Sequence, residues 1–296
     1  MEWRQFVMNL GTLSPTAVED IFNRHGAHSV TLSDAGDDPV LEPGPGETPL
    51  WIATRITGLF APNTDFKRLE DGLLAAFDLV ELPPHEVENL PDRAWEREWL
   101  KDFGPMKFGR RLWITPGDSH VDQDDAVTVR LDPGLAFGTG THATTALCLE
   151  WLDGMPLRDK SMLDFGCGSG VLAIAALKLG CRAATAMDID PQAVIATSQN
   201  AEFNDVADAL LVCGQTDDIE GEFDVVVANI LAGPLVEFAE SITSRLSSRG
   251  MLALSGVLCE QATAVMAAYA PWIEFDEPVF RGQDGQTWSR LTGTRR

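Results

Sequence analysis

The sequence is poor in basic residues. It has 22 Lys and Arg residues against 45 Asp and Glu residues, a formal net charge of -23 at pH 7. Nucleic-acid binding depends on Lys and Arg residues that neutralise phosphates, so this composition argues against a nucleic-acid partner. An anionic membrane surface is disfavoured for the same reason. A basic protein is the partner that such a surface favours, because complementary charge accelerates encounter, although acidity also serves solubility alone.

Cysteines are also few, and long apolar runs are missing. The five cysteines are odd in number and form no C-x-x-C pair, which argues against a disulfide framework and against a zinc site. No stretch approaches 18 consecutive apolar residues, so no membrane span is predicted. The first ten residues lack the basic region and the apolar run of a signal peptide. We therefore expect a cytoplasmic protein.

The first part of the chain predicts a small α+β domain over residues 1–82. Strands are expected at 3–10, 28–32 and 50–58, with helices that begin at Pro15 and span 66–79. This order is typical of a ferredoxin-like sandwich. The region 1–94 holds 16 acidic and 6 basic residues, a net charge of -10. Residues 83–117 contain several prolines and predict a linker with a short helix that carries Trp95 and Trp99 on one side.

Residues 118–296 predict a second domain of α/β class. Strands are expected at 161–165, 183–188, 209–213, 223–229, 251–256, 272–280 and 287–291, and helices at 171–179, 191–203, 233–246 and 259–270. Such alternation predicts a doubly wound, mostly parallel sheet. Ligands of these sheets lie beyond the carboxyl ends of the strands, where the strand order switches.

A glycine motif follows the first of these strands and opens a helix. Its glycines, Gly166, Gly168 and Gly170, run G-x-G-x-G, whereas a dinucleotide fingerprint runs G-x-G-x-x-G. Asp164 stands just before the first glycine. A carboxylate there would repel a pyrophosphate but suits the ammonium group of a methionine moiety. The motif therefore favours S-adenosylmethionine over NAD, and it disfavours an NAD-dependent dehydrogenase.

Two further strands end in polar side chains that suit the same cofactor. Asp188 lies 22 residues after Gly166, and an acid at about 20 residues can accept both ribose hydroxyls. Asp190 is better explained as the N-cap of a helix that begins at Pro191. Asn229 ends the strand 223–229, where its carbonyl can accept a hydrogen bond from a target N–H. A solvated loop acid and a turn-forming Asn are the alternatives.

A Gly- and Thr-rich loop over residues 132–145 precedes these motifs and runs into a helix. Its hydroxyl and N–H groups, those of Thr141 and Thr145 included, can clasp a carboxylate at the helix start. His142 either contacts substrate or packs within the loop. His25 and His28 lack a third ligand, so a surface turn is favoured over a metal site, and no metal is predicted.

Four phrases of the sequence resemble one known family. They are AFGTGTHATTALCLEWL, LDFGCGSGVLAIAALKLG, DIDPQAV and VVANILAGPL. In this order they look like the ribosomal protein L-eleven methyltransferase family, known as PrmA, and the resemblance covers nearly the whole chain. It departs at Ala143, where the family usually has proline. This exchange is expected to loosen the loop without removing a hydrogen-bonding group.

The resemblance implies methyl transfer from S-adenosylmethionine to lysine ε-amino groups and to an N-terminal α-amino group. It also implies that the N-terminal domain recognises the ribosomal protein. The family's cofactor contacts map onto the residues Thr145, Gly166, Asp188 and Asn229, with Gly168 and Phe137 nearby. Asn229 is the candidate for substrate orientation. The small-molecule methyltransferase and the non-catalytic, S-adenosylmethionine-binding ribosome-assembly factor stay open as alternatives.

Overall fold

The computed structural model describes residues 3–36, 53–90, 104–117, 119, 121–131 and 141–296. The chain forms two compact units, residues 1–98 and residues 99–296. Within the described parts, no helix is long and apolar enough to cross a membrane.

The N-terminal unit has six elements. They are β1 (Trp3–Asn9), α1 (Pro15–Arg24), β2 (Ser29–Asp34), β3 (Thr54–Phe60), α2 (Phe66–Phe77) and β4 (His85–Leu90). The four strands pair antiparallel in the order β2-β3-β1-β4. Apolar residues of both helices share one core with the inward side chains of β1 and β3. The element order is that of the ferredoxin-like motif.

The local sequence explains how the helices of this unit begin. The hydroxyl of Ser14 accepts a hydrogen bond from Ala17 N at 3.4 Å, and Pro15 follows as the first helical residue, as predicted. Gly58 lies in β3 where the strand contacts α1, and a Cβ at this position would lie 2.5 Å from Phe22 Cδ2. The absence of a side chain at this position lets α1 pack closely on β3.

The prediction that residues 83–117 form a linker is wrong in part. Residues His85–Leu90 form β4, which pairs with β1, and the strands β5 (Met106–Phe108) and β6 (Leu112–Pro116) follow. The edge strand β4 is difficult to predict from the sequence because Pro83 and Pro84 precede it and because Val87, which packs on the core, lies between two glutamates. The predicted helix with Trp95 and Trp99 lies outside the described residues.

The second unit continues the alternation of strands and helices. Its further elements are β7 (Val127–Leu131), α3 (Ala143–Gly154), β8 (Ser161–Phe165), α4 (Val171–Lys178), β9 (Ala183–Met187), α5 (Pro191–Phe203), β10 (Leu210–Cys213), β11 (Phe223–Asn229), α6 (Ala232–Glu237), α7 (Ala239–Ser244), β12 (Leu246–Leu258), α8 (Ala262–Tyr269), β13 (Ile273–Phe275), β14 (Val279–Gln283) and β15 (Gln286–Arg295).

The large sheet of this unit has the order β10-β9-β8-β11-β12-β15-β13, and β14 pairs with β15. The strands from β10 to β12 pair parallel, whereas β15 is antiparallel to its neighbours. One apolar core lies on each side of the sheet, which confirms the predicted doubly wound, mostly parallel sheet. The strand order switches between β8 and β11, so the carboxyl ends of these strands form the expected ligand edge.

Two predicted elements of this unit are divided in the structure, and one small sheet was not predicted. The helix expected at 233–246 is divided into α6 and α7 at Phe238, and Leu246 already belongs to β12. The strand expected at 272–280 is divided into β13 and β14 around Pro278, which cannot donate a hydrogen bond to a sheet. Strands β5, β6 and β7 form a separate small sheet.

Candidate functional site

The glycine loop after β8 needs backbone angles that residues with a side chain rarely adopt. Gly166, Gly168 and Gly170 have φ values of 79°, 53° and 76°. A Cβ on Gly166 would collide with Ile230 Cγ2, so the loop packs closely against the residue that follows β11. Gly166 N also donates to Met187 O at 2.8 Å. The loop is thereby fixed between the ends of β9 and β11.

Asp164 lies fully buried beneath this loop. Its Oδ2 accepts a hydrogen bond from Ala173 N at 3.1 Å, in the first turn of α4, where Gly170 supplies no side-chain cap. Its Oδ1 has no partner among the described residues. Burial, opposed by the Ala173 N–H and assisted by the charge of Asp188, raises the pKa of Asp164 to about 7. A positively charged group next to this carboxyl would favour its ionised form.

Asp188 stands just beyond β9 with its carboxylate held on both oxygens. Oδ2 accepts from Gly168 N at 2.8 Å, and Oδ1 accepts from Asp190 N at 3.0 Å. A carboxylate oxygen has a second lone pair, so both oxygens retain acceptor capacity. Asp190 accepts from Gln192 N at 2.9 Å and is the N-cap of α5, as predicted.

Asn229 and Thr145 bring two of the predicted motifs together. Asn229 Nδ2 donates to Thr145 Oγ1 at 3.2 Å, while Asn229 Oδ1 is buried and has no partner among the described residues. Ala228 is paired with Phe165 across β11 and β8. Asn229 therefore follows at the edge of the sheet where the glycine loop begins.

The start of α3 holds a further group of predicted residues. His142 is the N-cap, and its Nδ1 accepts from Thr144 N at 3.4 Å. Its ring lies 4.7 Å from that of Trp288, and burial lowers the pKa of the imidazole. These contacts agree with the packing role for His142. Thr141 precedes it and is exposed, and Phe137 lies outside the described residues.

The exchange at Ala143 gives the helix a contact that proline could not make. Ala143 N donates to Gln283 Oε1 at 2.5 Å, and proline has no N–H. Arg281 Nη2 also contacts both carboxylate oxygens of Glu150 at 2.7 and 2.8 Å. The hairpin of β14 and β15 is therefore docked on α3, and the start of the helix is tied rather than loosened at this position.

One residue at this edge was missed by the sequence analysis. Ile189 is 82% exposed although it lies between Asp188 and Asp190. An apolar side chain left in solvent at a ligand edge can cover an apolar face of a ligand. The signal in the sequence is the single apolar residue between two acids at the end of a strand.

The two histidines considered as a metal pair have other contacts. His25 Nδ1 lies 2.8 Å from Ile21 O, and the His28 ring lies 4.6 Å from the ring of Trp3. In the described segments, no group of three His, Cys, Asp or Glu residues is placed to hold a metal ion.

Comparison with known proteins decides the family. The family model described as "Ribosomal protein L11 methyltransferase (PrmA)" matches residues 2–296. This chain belongs to the PrmA family. It is 49% identical over 300 residues to the ribosomal protein L11 methyltransferase of Actinobacillus pleuropneumoniae serotype 3 (strain JL03), with 100% of both chains covered. It is also 49% identical over 294 residues to that of Pasteurella multocida (strain Pm70), with 99% of both chains covered.

A solved structure supports the same assignment. The ribosomal protein L11 methylase from Lactobacillus delbrueckii subsp. bulgaricus is 32% identical, with a TM-score of 0.60. It covers 66% of this chain, and all of that chain is matched. The PrmA member described here is therefore a methyltransferase with the predicted α/β fold, and its methyl donor is S-adenosylmethionine.

Proposed function

We propose that this PrmA family member methylates lysine ε-amino groups and the N-terminal α-amino group of ribosomal protein L11. The observation that carries the proposal is the buried Oδ1 of Asn229 at the carboxyl end of β11, which has no hydrogen-bond partner among the described residues. Buried acceptors are normally hydrogen-bonded, and an amine N–H is the donor that this oxygen lacks. The names of the relatives from Actinobacillus and Pasteurella support L11 as the substrate.

The residues around the glycine loop fit S-adenosylmethionine. Asp188 offers carboxylate oxygens for the ribose hydroxyls, and Asp164 Oδ1 is a buried acceptor for an ammonium group. The positive φ values of Gly166 and Gly168 shape the loop that we propose to bind the cofactor. Ile189 offers an apolar surface for the adenine ring. Phe137, Thr141 and Thr145 complete the proposed cofactor contacts.

The main contribution of the protein to this reaction is to orient the amine. The sulfonium of the bound cofactor activates the methyl group, and positioning can supply much of the rate of an in-line displacement. Lysine has a pKa near ~10.4 in water and attacks only when it is neutral. Desolvation at the site lowers that pKa. Asn229 Oδ1 accepts one N–H of the neutral amine and directs its lone pair, and water takes the proton.

The N-terminal unit is the proposed binding site for a basic substrate. Glu86 and Glu88 are exposed on the edge strand β4 and face away from the helices. With Gln5, Asn9 and Arg55 they line a groove of about 520 Å³ on the face of the sheet opposite α1 and α2. This unit is strongly acidic, so we propose that it attracts the basic ribosomal protein and not RNA. A ribosomal protein substrate also favours a cytoplasmic location.

The test is methyl incorporation into purified L11 from labelled S-adenosylmethionine, followed by peptide mass spectrometry. We expect methyl groups on lysine side chains and on the N-terminal amine. A protein that binds the cofactor but leaves L11 unlabelled is a cofactor-binding assembly factor. Label that appears only in small molecules of a cell extract indicates a small-molecule methyltransferase. Either result refutes the proposed function.

A further inference from the structure

Helix α5 carries a buried polar face that no predicted role accounts for. Thr197, Asn200 and the C-cap residue Asn204 are spaced by three and four residues, which places them on one side of the helix toward its carboxyl end. Their exposed fractions are 0%, 2% and 0%. Burying polar groups costs free energy unless they are hydrogen-bonded. Their partners therefore indicate why polar side chains occupy this face.

The first two residues of this face bind the glycine loop. Thr197 Oγ1 donates to Gly168 O at 2.9 Å, and Asn200 Nδ2 donates to Ser169 O at 2.9 Å. On its other side, Gly168 N donates to Asp188 Oδ2 at 2.8 Å. Both polar backbone groups of Gly168 are thus fixed, one by α5 and the other by the acid proposed to bind ribose.

The third residue extends the connection to β7. Asn204 Nδ2 donates to Asn200 O at 2.7 Å and to Arg130 O at 2.6 Å, and Asn204 Oδ1 accepts from Arg130 N at 2.8 Å. Arg130 is followed by the last residue of β7, after which the chain enters the predicted 132–145 loop. The polar face of α5 therefore joins the glycine loop to the strand that leads into the second cofactor motif.

We propose that Thr197, Asn200 and Asn204 are positioning residues for S-adenosylmethionine. Thr197 and Asn200 bind the carbonyls of Gly168 and Ser169 on the side of α5. The peptide that joins these residues is thereby prevented from rotating, and Gly168 N stays on Asp188. A Cβ on Gly170 would lie 2.7 Å from Thr197 Cγ2, so the helix and the loop are also in close contact. The proposal rests on the cofactor site proposed above.

The test compares Thr197→Val, which keeps the shape and removes the hydroxyl, with Thr197→Ser, which keeps the hydroxyl. Calorimetry with S-adenosylhomocysteine gives Kd, and thermal unfolding gives stability. Loss of a buried hydrogen bond is worth on the order of tenfold, so we expect about tenfold weaker binding for Thr197→Val. Thr197→Ser should restore most of the affinity. The KM for S-adenosylmethionine should rise with Thr197→Val more than kcat falls.

Thr243→Val is the matched control. Thr243 is 2% exposed in α7, and its hydroxyl donates to Ala239 O within its own segment. This variant should lose stability and keep the parental Kd. If Thr197→Val binds S-adenosylhomocysteine as the parent does, or no more weakly than Thr243→Val, the positioning role is refuted.

Asn200→Ala is the second test variant if Thr197→Val does not fold. It leaves Ser169 O without the donor from α5, so the same weakening of Kd is expected, and parental affinity would refute the role. The Kd for S-adenosylhomocysteine also does not depend on which substrate the protein methylates. A parent protein that binds S-adenosylhomocysteine but does not methylate L11 refutes the proposed function, while the positioning role is still decided by the Kd values.

Discussion

Asn229 Nδ2 donates a hydrogen bond to Thr145 Oγ1 across 3.2 Å, from the carboxyl end of β11 to the first turn of α3. The bond occupies the donor side of the amide and leaves Oδ1 as a buried acceptor without a partner in the described residues. Thr145 itself is 1% exposed. The orientation of the amide is therefore set before substrate binds, which is the condition for precise positioning of an amine.

Removal of this acceptor should reduce methyl transfer more than stability. A misplaced reacting group can cost ~100-fold in rate, so we expect a loss of that order for Asn229→Ala. Thr145→Val removes the hydroxyl that orients the amide and that is also a proposed cofactor contact. At saturating S-adenosylmethionine we expect a smaller loss than for Asn229→Ala, with recovery in Thr145→Ser. Single-turnover rates on L11 and thermal unfolding measure the two effects. If Asn229→Ala transfers methyl groups at the parental rate, Asn229 only ends the strand.

A side chain at Gly168 should abolish cofactor binding. Its φ of 53° is strained for a β-branched residue, and its N–H donates to Asp188, the acid proposed to bind the ribose. The matched control is Gly221→Val, because Gly221 has a φ of 81° and no neighbour within 4 Å of an added Cβ. We expect both variants to lose some stability, but only Gly168→Val to lose affinity for S-adenosylhomocysteine. Unchanged calorimetric affinity for Gly168→Val contradicts the assignment of the loop.

Cofactor binding should release protons near neutral pH through Asp164, whose pKa burial raises to about 7. Between about pH 4 and pH 7 the native carboxyl keeps a proton that the unfolded chain has released, so its contribution to the free energy of unfolding falls as pH rises through this window. An ammonium group nearby favours the ionised form.

The measurement is the binding enthalpy of S-adenosylhomocysteine at about pH 6.5, in two buffers of different ionisation enthalpy. The parent should release protons, and Asp164→Asn should release fewer. Equal proton release by the two proteins would place the ammonium group away from Asp164.

Much of the candidate site could be predicted from the sequence, because its features depend on neighbouring residues along the chain. The glycines at positive φ, the Asp190 N-cap and the placement of Asp188 and Asn229 at strand ends all follow from short-range rules. The hydrogen bonding of Asp164 could not be predicted from such rules. Its place before Gly166 is visible in the sequence, but its bond to Ala173 N depends on how α4 leaves the loop.

Features that depend on tertiary pairing were missed. The edge strand β4 is recognisable mainly through its register with β1, because polar residues flank Val87 on both sides. The polar residues of α5 look like an ordinary solvated helix face in the sequence. The carbonyls of Gly168 and Ser169 explain their burial, and these are backbone groups that no side-chain pattern reports.

The acidic N-terminal unit should matter for substrate capture and not for cofactor binding. A fragment that begins near Glu96 is expected to bind S-adenosylmethionine but to lose most activity on L11. Activity of the full-length chain at limiting L11 should fall as salt rises, since exposed charges are screened within ~10 Å at 0.1 M. One assay of both proteins across a salt series measures this, and a fragment as active as the full chain would show that recognition lies elsewhere.

Within that unit, the effect of the groove on substrate binding can be distinguished from the effect of the unit's overall negative charge. The double variant Glu86→Gln and Glu88→Gln removes two exposed charges from β4, and the control Glu19→Gln and Asp20→Asn removes two exposed charges from α1. We expect the KM for L11 to rise more with the β4 variant, because its charges line the groove. Equal effects would indicate long-range attraction without a docking site on this face.

The most direct test of the account is mass spectrometry of the host's ribosomal proteins with and without this protein. Loss of the chain should remove methyl groups from lysine and N-terminal amino groups of L11 and leave the other ribosomal proteins unchanged. Restoring the parental chain should restore them, whereas Asn229→Ala and Gly168→Val should not. Methylation of L11 that persists without the chain, or that Asn229→Ala restores at the parental level, would contradict the account.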